Sequence, residues 1–210
     1  MGLLLDQDIV NAACARIGED PPDMNDDVDG AGPVALLYQE VIDFNLGLYP
    51  AGFSFSKQLF QLSIDDAIVD HASGYAYGFD LPAEALELPM YVTDNPKDRE
   101  RRFNDYALLD GKLHADKNPL WAMCRYRPAP ARWSATFRTC TITSLASRLA
   151  LALTSDRNNS EALRIEAYGS PGDEFLGGQM RAAIRADSFA TPPRQPNWDN
   201  NPLTNSRWGG

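Results

Sequence analysis

Asp23, Asn25, Asp27 and Asp29 alternate along one short stretch, with the spacing at which oxygen ligands begin a calcium loop. The glycine required at the sixth place of such a loop and the glutamate at its twelfth are missing, so a solvated acidic loop is expected. Cys14, Cys124 and Cys140 are odd in number, far apart and outside any Cys-x-x-Cys or Cys/His arrangement, which fits a reduced cytosol. His71 and His114, the only histidines, have no helically spaced carboxylate or second histidine to share a metal, and surface or structural roles are expected. Asp65-Asp66 reads as a turn at a strand end. No phosphate-binding glycine loop, zincin pair, nucleophile elbow or Cys/His dyad occurs. The expected inventory of catalytic, cofactor-binding and metal-ligating residues is therefore empty, and the chain does not read as an enzyme.

Arg125, Arg127, Arg132 and Arg138 form the one basic cluster, with no acid close to them in sequence and with Tyr126 and Trp133 interleaved. Basic side chains alternating with aromatics suit a nucleic-acid stripe. The whole chain carries a formal charge of -10, which repels phosphate, so an acidic protein partner fits this interface patch at least as well. Two alternative functions stay open from composition alone. One is a cytosolic nucleic-acid-binding module that uses this patch; the other is a carboxylate-dependent hydrolase acting on cell-wall glycan, because a pair of carboxylates set for glycosidase work cannot be read from spacing.

These side chains must be positioned by a chain of 210 residues, 44% hydrophobic, enough for one core or one core with a small subdomain. No apolar run approaches the roughly 20 residues that span a bilayer. Gly2-Leu3-Leu4-Leu5 is too short for the apolar region of a signal peptide, so the protein is expected to stay where it is made.

The organising element is Ser134 to Leu153. Ile142, Leu145, Ala146, Leu149 and Leu153 fall on one helix face, Ser134 can cap the start, and Asp156 with Asn158 or Asn159 can stop it. Thr139, Thr141 and Thr143 are poor helix formers, so packing must hold this helix. Earlier, Asp6 reads as an N-cap before the stripe Ile9, Val10, Ala13, Cys14 and Ile17, which ends at Gly18. Cys14 on that stripe reads as a buried thiol. Pro33 suits the first position of a second helix bearing Val34, Leu37, Tyr38, Val41, Ile42, Asn45 and Leu48.

Between these helices the period changes. Phe53 and Phe55 alternate with serines, and the phase shifts near Lys57-Gln58, as in a strand with a bulge. Tyr106 to Ala115 around Asp110-Gly111 is a hairpin, with Leu120 to Tyr126 following as a third run of one small antiparallel sheet. Lys97 to Arg102 reads as a solvated charged loop. Ser160 opens a last helical stretch that Gly169-Ser170-Pro171-Gly172 must interrupt, with Ser170 and Asp173 as a capping pair; one kinked helix and two short ones are both open. The fold class expected is mainly α within α+β: an antiparallel helical bundle over residues 1–190, a β-rich insertion at about 53–127, and an extended arm over 191–210.

That last stretch holds Pro192, Pro193, Pro196 and Pro202 among polar links, yet also Trp198, Leu203 and Trp208. Aromatic anchors in an aperiodic segment fit folding onto a partner, with packing on its own chain as the other reading.

The order of the short helix Asp8 to Glu19, the aromatic Phe53-Ser54-Phe55, Tyr77-Gly78-Phe79-Asp80-Leu81-Pro82, Leu109-Asp110-Gly111-Lys112-Leu113, and Phe137 with Leu145-Ala146 and Leu149-Ala150 resembles the head-to-tail adaptor proteins of tailed phages. That group includes tail tubular protein A of short-tailed phages and the adaptors of gene transfer agents. The resemblance covers roughly residues 6 to 189. It implies a structural virion protein of the head-tail neck, made in the host cytoplasm, without cofactors. Its implied partners are the portal protein, a tail or stopper protein (the nozzle), and further copies of itself in a ring of twelve. DNA would pass through the lumen without sequence-specific contact and no membrane would be involved. The portal-docking arm of that family corresponds to the C-terminal stretch with Pro196, Trp198, Leu203, Arg207 and Trp208. The break at Gly169 to Gly172 departs from the long final helix common in these proteins.

Overall fold

The computed structural model describes residues 5–22, 31–65, 74–98 and 101–190. Within them the chain runs through α1 (Asp6–Ile17), α2 (Ala31–Gly47), seven short strands, and α3 (Ala135–Thr154), α4 (Arg157–Tyr168) and α5 (Gly178–Ala190). The architecture is mixed α+β.

Helix α1 buries Ile9, Val10, Ala13 and Cys14, as its stripe requires, and stops at Gly18 with φ 76°. Its cap position is Leu5, one residue before the expected Asp6. The reason is that Asp8 takes the Leu5 amide at 2.8 Å, while the Asp6 carboxylate accepts the Tyr38 hydroxyl at 2.6 Å. Helix α2 begins two residues before Pro33, whose missing amide falls in the first turn, where no partner is needed.

Helix α3 is the centre of the helical layer, packed against α1, α2, α4 and α5. Ser134 caps it by accepting the Phe137 amide at 3.2 Å. Burial extends well beyond one stripe: Phe137, Cys140, Thr141, Thr143, Ser144, Leu145, Ala146, Ser147, Leu149 and Ala150 are all inside. Leu153, expected on the buried face, is exposed on the last turn, just before the chain reverses at Ser155 with φ 53°. So many buried hydroxyls are tolerated because each has a partner. Thr143 donates to the Thr139 carbonyl at 3.0 Å and accepts from Arg16, and Ser147 donates to the Ser160 carbonyl at 2.7 Å.

Asp156, expected to help stop α3, instead opens α4, accepting the amides of Asn158 and Asn159 at 3.1 and 3.0 Å. The last helical stretch therefore starts at Arg157 rather than Ser160. At Pro171 the helix is split in two, and Asp173 accepts both the amide and the hydroxyl of Ser170 at 2.9 Å. The backbones cross closely at this corner. A Cβ on Gly178, whose φ is 48°, would stand 2.5 Å from the Glu166 carbonyl oxygen, so only glycine fits.

The strands β1 (Lys57–Gln61), β2 (Ser63–Ile64), β3 (Tyr77–Asp80), β4 (Tyr91–Thr93), β5 (Tyr106–Leu109), β6 (Lys112–Ala115) and β7 (Trp121–Arg125) form two antiparallel sheets, β1-β7-β4 and β2-β3-β6-β5. The β5-β6 hairpin turns at Asp110-Gly111, with φ 51° and 74°. One sheet was the expectation, with Leu120 to Tyr126 extending the hairpin. Instead β3 pairs with the open edge of β6, and β7 lies between β1 and β4, with Lys57 opposite Arg125. The chain passes from one sheet to the other at Leu62. Val92, Ala122 and Cys124 of one sheet and Phe79, Leu113 and Ala115 of the other close a second core, distinct from the helical one. The phase shift after Phe53 is likewise no bulge: Ser54–Ser56 is a single 3-10 turn that precedes β1.

Candidate functional site

The arginine cluster sits where the helical and β layers meet. Arg125, at the end of β7, is paired with Glu87, and its Nη1 also points at the carbonyls of Leu46 and Tyr49 at the end of α2, 3.5 and 3.4 Å away. Arg127 forks onto Asp43 of α2, with Nη2 2.7 and 2.6 Å from the two carboxylate oxygens and Nε at 3.0 Å. Arg132 donates to the Tyr126 hydroxyl at 3.2 Å. Arg138 lies apart on α3, half-buried, with no ion pair to a described residue. The sequence shows no acid near this cluster; the fold brings two, from 38 and 84 positions away. Arg125 and Arg127 thus clamp β7 to the C-terminal half of α2, and the four arginines do not make one free basic face.

A second concave surface lies between the end of α2 and α5. Leu48, Tyr49, Pro50, Leu176, Arg181, Ile184, Arg185 and Ser188 line a groove of about 550 Å³. Beside it Phe44, Tyr168 and Phe175 meet edge to face, with ring centres 5.5 to 5.7 Å apart. Glu174 and Phe175 both hold positive φ, 51° and 64°, so the corner that delivers Phe175 and Leu176 to this surface is strained. Nothing local in the sequence signalled this groove, since its walls come from residues about 130 positions apart.

Three polar junctions, two of them buried and the one at Glu166 exposed, were also missed and fix the helices around these surfaces. Asn45 donates to Thr141 and Ser144 at 3.2 Å and accepts from the Tyr168 hydroxyl at 2.6 Å. Glu166 accepts from Arg16 at 3.2 Å and from Gln179 at 2.6 Å, joining α1, α4 and α5. Asp187, 5% exposed, accepts the Ser54 amide at 2.9 Å and the Ser54 hydroxyl at 2.6 Å. Burial holds the pKa of the Tyr38 and Tyr168 hydroxyls well above the ordinary phenol range, so both stay protonated.

The thiols are structural. Burial pushes Cys124 up to about 11 and Cys140 up to about 12, and raises Cys14 with help from Glu19. His114 is buried in β6, in keeping with a structural role. Among the described residues no three His, Cys, Asp or Glu side chains gather to hold a metal ion. No described helix is long and apolar enough to cross a membrane. Asp65 pairs with Lys112, and Arg101 with Asp94 at 2.7 Å. His71, Asp66, Arg99, Glu100, the acidic loop from Asp23 to Asp29, and the arm residues Pro196, Trp198, Leu203, Arg207 and Trp208 lie outside the described residues.

Large apolar side chains stand on the outer faces of the helical layer: Leu36 on α2 at 68% exposure, Leu151 and Leu153 on α3, Ile165 on α4, and Phe189 on α5 at 75%. No protein-family model matches the chain, and no curated protein matches it.

Proposed function

We propose that the protein is a structural component of a tailed-phage virion, a ring-forming adaptor that docks under the portal and joins it to the tail. In this reading the helices form the family's antiparallel bundle and the strands its β insertion. The observation that carries the proposal is the spread of exposed apolar side chains over several helices, Leu36, Leu151, Leu153, Ile165 and Phe189. Side chains so exposed are available to be covered when copies stand side by side in a ring. The formal charge of -10 agrees with a conduit wall that keeps DNA phosphate at a distance. The ion pairs of Arg125 and Arg127 count against the nucleic-acid reading of that cluster.

The test is to mix the purified chain with portal protein from the same genome and weigh the products by native mass spectrometry. A discrete complex with about one adaptor per portal subunit is expected, and deleting residues 191–210 abolishes it while leaving the helical circular dichroism unchanged. A chain that stays monomeric beside intact portal removes the reading.

A further inference from the structure

We infer that copies of this chain join through two open strand edges: β5 of one molecule adds, antiparallel, to β1 of the next. In this register Tyr106 lies opposite Gln61 and Leu108 opposite Leu59. The inference does not rest on the adaptor reading, since it needs neither portal nor DNA.

The two sheets present four edges, β1, β4, β2 and β5. Strand β4 is closed by Phe103, whose amide donates to the Val92 carbonyl at 2.8 Å, and β2 has only two residues. The other two are open: among the described residues no backbone hydrogen bond reaches the outer side of β1 or β5. Strand β5, Tyr106-Ala107-Leu108-Leu109, also lacks the charge, proline or bulge that ordinarily keeps an edge from pairing.

The ladders fix which backbone groups are free. The Tyr126 amide donates to the Ser56 carbonyl and the Leu62 amide to the Leu120 carbonyl, both at 2.9 Å, so the intervening Lys57, Leu59 and Gln61 turn their amides and carbonyls away from β7. In the other sheet the Asp65 amide donates to the Gly78 carbonyl at 2.9 Å. That bond faces Gly78 towards β2, hence Phe79 towards Leu113, Lys112 towards Leu109, and Tyr106 and Leu108 outwards.

Side chains choose the register. With Leu108 on Leu59, Ala107 falls beside Phe60, small against large, and Asp110, just past β5, comes to Lys57. Neither Asp110 nor Lys57 has an ion pair among the described residues. Slipping two residues one way sets Lys57 against Leu108, and the other way sets Asp110 against Leu59. Pairing β5 with β5 crowds Asp105 and Asp110 of both copies onto one short ribbon, where like charges oppose it. Pairing β1 with β1 leaves Lys57 without an acid. Because the two edges differ, the contact is head-to-tail and repeats from copy to copy, into a ring or a filament.

In this register Gln58 and Leu109 form a non-hydrogen-bonded pair with Cα atoms about 4.5 Å apart, within disulfide range. Both are exposed, and the native Cys14, Cys124 and Cys140 are buried. Full chains carrying Gln58→Cys and, separately, Leu109→Cys are mixed under a mild oxidant. The mixed disulfide dimer is expected about tenfold faster than a homodimer of either variant, at a rate that rises with concentration. Faster Leu109→Cys homodimers overturn the inference in favour of β5 on β5, and faster Gln58→Cys homodimers in favour of β1 on β1. No cross-link, or no preference, also overturns it.

A second measurement uses no cysteine. Leu59→Pro removes one outward amide and leaves the bonds from β1 to β7 in place. In sedimentation velocity the weight-average mass of the wild type is expected to rise with concentration, while Leu59→Pro stays at the monomer value with unchanged circular dichroism. A wild type that stays monomeric, or a folded Leu59→Pro that associates equally, overturns the inference; if Leu59→Pro alters the circular dichroism, the cysteine mixture decides. Portal is absent from both experiments, so their failure leaves the adaptor reading standing, and failure of the portal test leaves this contact standing.

Discussion

Asp187 and Ser54 are 133 positions apart in sequence and share three hydrogen bonds, through the Ser54 amide and hydroxyl, at 2.6 to 3.1 Å. The carboxylate on α5 acts as the cap of the 3-10 turn that leads into β1. Asp187→Ala leaves the Ser54 amide without its acceptor inside the protein, and hydrogen bonds to a charged group are among the stronger ones. A loss of about 2–3 kcal/mol is expected, read as a lower urea midpoint with an unchanged slope. Asp187→Asn keeps one acceptor oxygen and should cost less.

Asn45 should be more sensitive than the tyrosine it holds. Asn45→Ala takes away the acceptor of the Tyr168 hydroxyl and the donor to Thr141 and Ser144, although Ser144 keeps its bond to the Thr141 carbonyl, whereas Tyr168→Phe removes one hydroxyl and leaves the two donations to α3 in place. Chemical denaturation should give about 2–3 kcal/mol for the first and about 1 kcal/mol for the second. Equal losses would mean that Asn45 acts through packing alone.

The two seam arginines should differ. Arg127 and Asp43 are each more than a third exposed, so a double-mutant cycle should return a coupling under about 1 kcal/mol despite the forked geometry. Arg125 is nearly buried, with 12% of its side chain exposed, and its stem lies over Gly52, where an added Cβ would stand 3.3 Å from Cδ. Arg125→Ala should cost about 2 kcal/mol, and Arg125→Met should recover part of that through the stem. Glu87→Ala should cost less than Arg125→Ala, because the Leu46 and Tyr49 carbonyls remain available to the guanidinium.

Asp94 gives a pH dependence of known sign. Its carboxyl is held below the ordinary aspartate range first by the hydrogen bond from Lys117, then by the charge of Arg101. A depressed folded value means that its contribution is complete above the unfolded value, about 3.9, and is lost as pH falls through the folded one. The melting temperature of the wild type should therefore fall more steeply below about pH 4 than that of Asp94→Asn. Parallel curves would remove the ion pairs as a source of acid sensitivity.

What the sequence made legible was local. Ser134 as a cap, the Asp110-Gly111 turn and the break at Pro171 are fixed by chemistry within four residues of each site, and each appears in the structure as read. What it concealed was set at long range. The 3-10 turn after Phe53 imitates a bulged strand because its cap, Asp187, is on another helix. The acids that neutralise Arg125 and Arg127 are equally distant. Tyr91–Thr93 is too short to show a period, so the strand that completes the sheet of β1 and β7 had no signal of its own, and neither had the division into two sheets. Asp156 was ambiguous for a different reason: the same side chain can end one helix or begin the next, and the immediate reversal at Ser155 decides for the second.

The pairing of β1 with β7 bears on how this chain could change. Lys57 faces Arg125, and the Tyr126 amide donates to the Ser56 carbonyl at 2.9 Å, so the polypeptide leaves the helical layer and returns to it through one doorway. Between those ends the strands close a core of their own, with Leu86 reaching back to the helical one, while the helices on either side complete each other around α3. A cassette with adjacent ends can be shortened, lengthened or replaced without altering the helices that carry it. Changes of length should therefore be tolerated in the turns between β2 and β6 and resisted at Phe53 to Ser56, where the doorway is held shut.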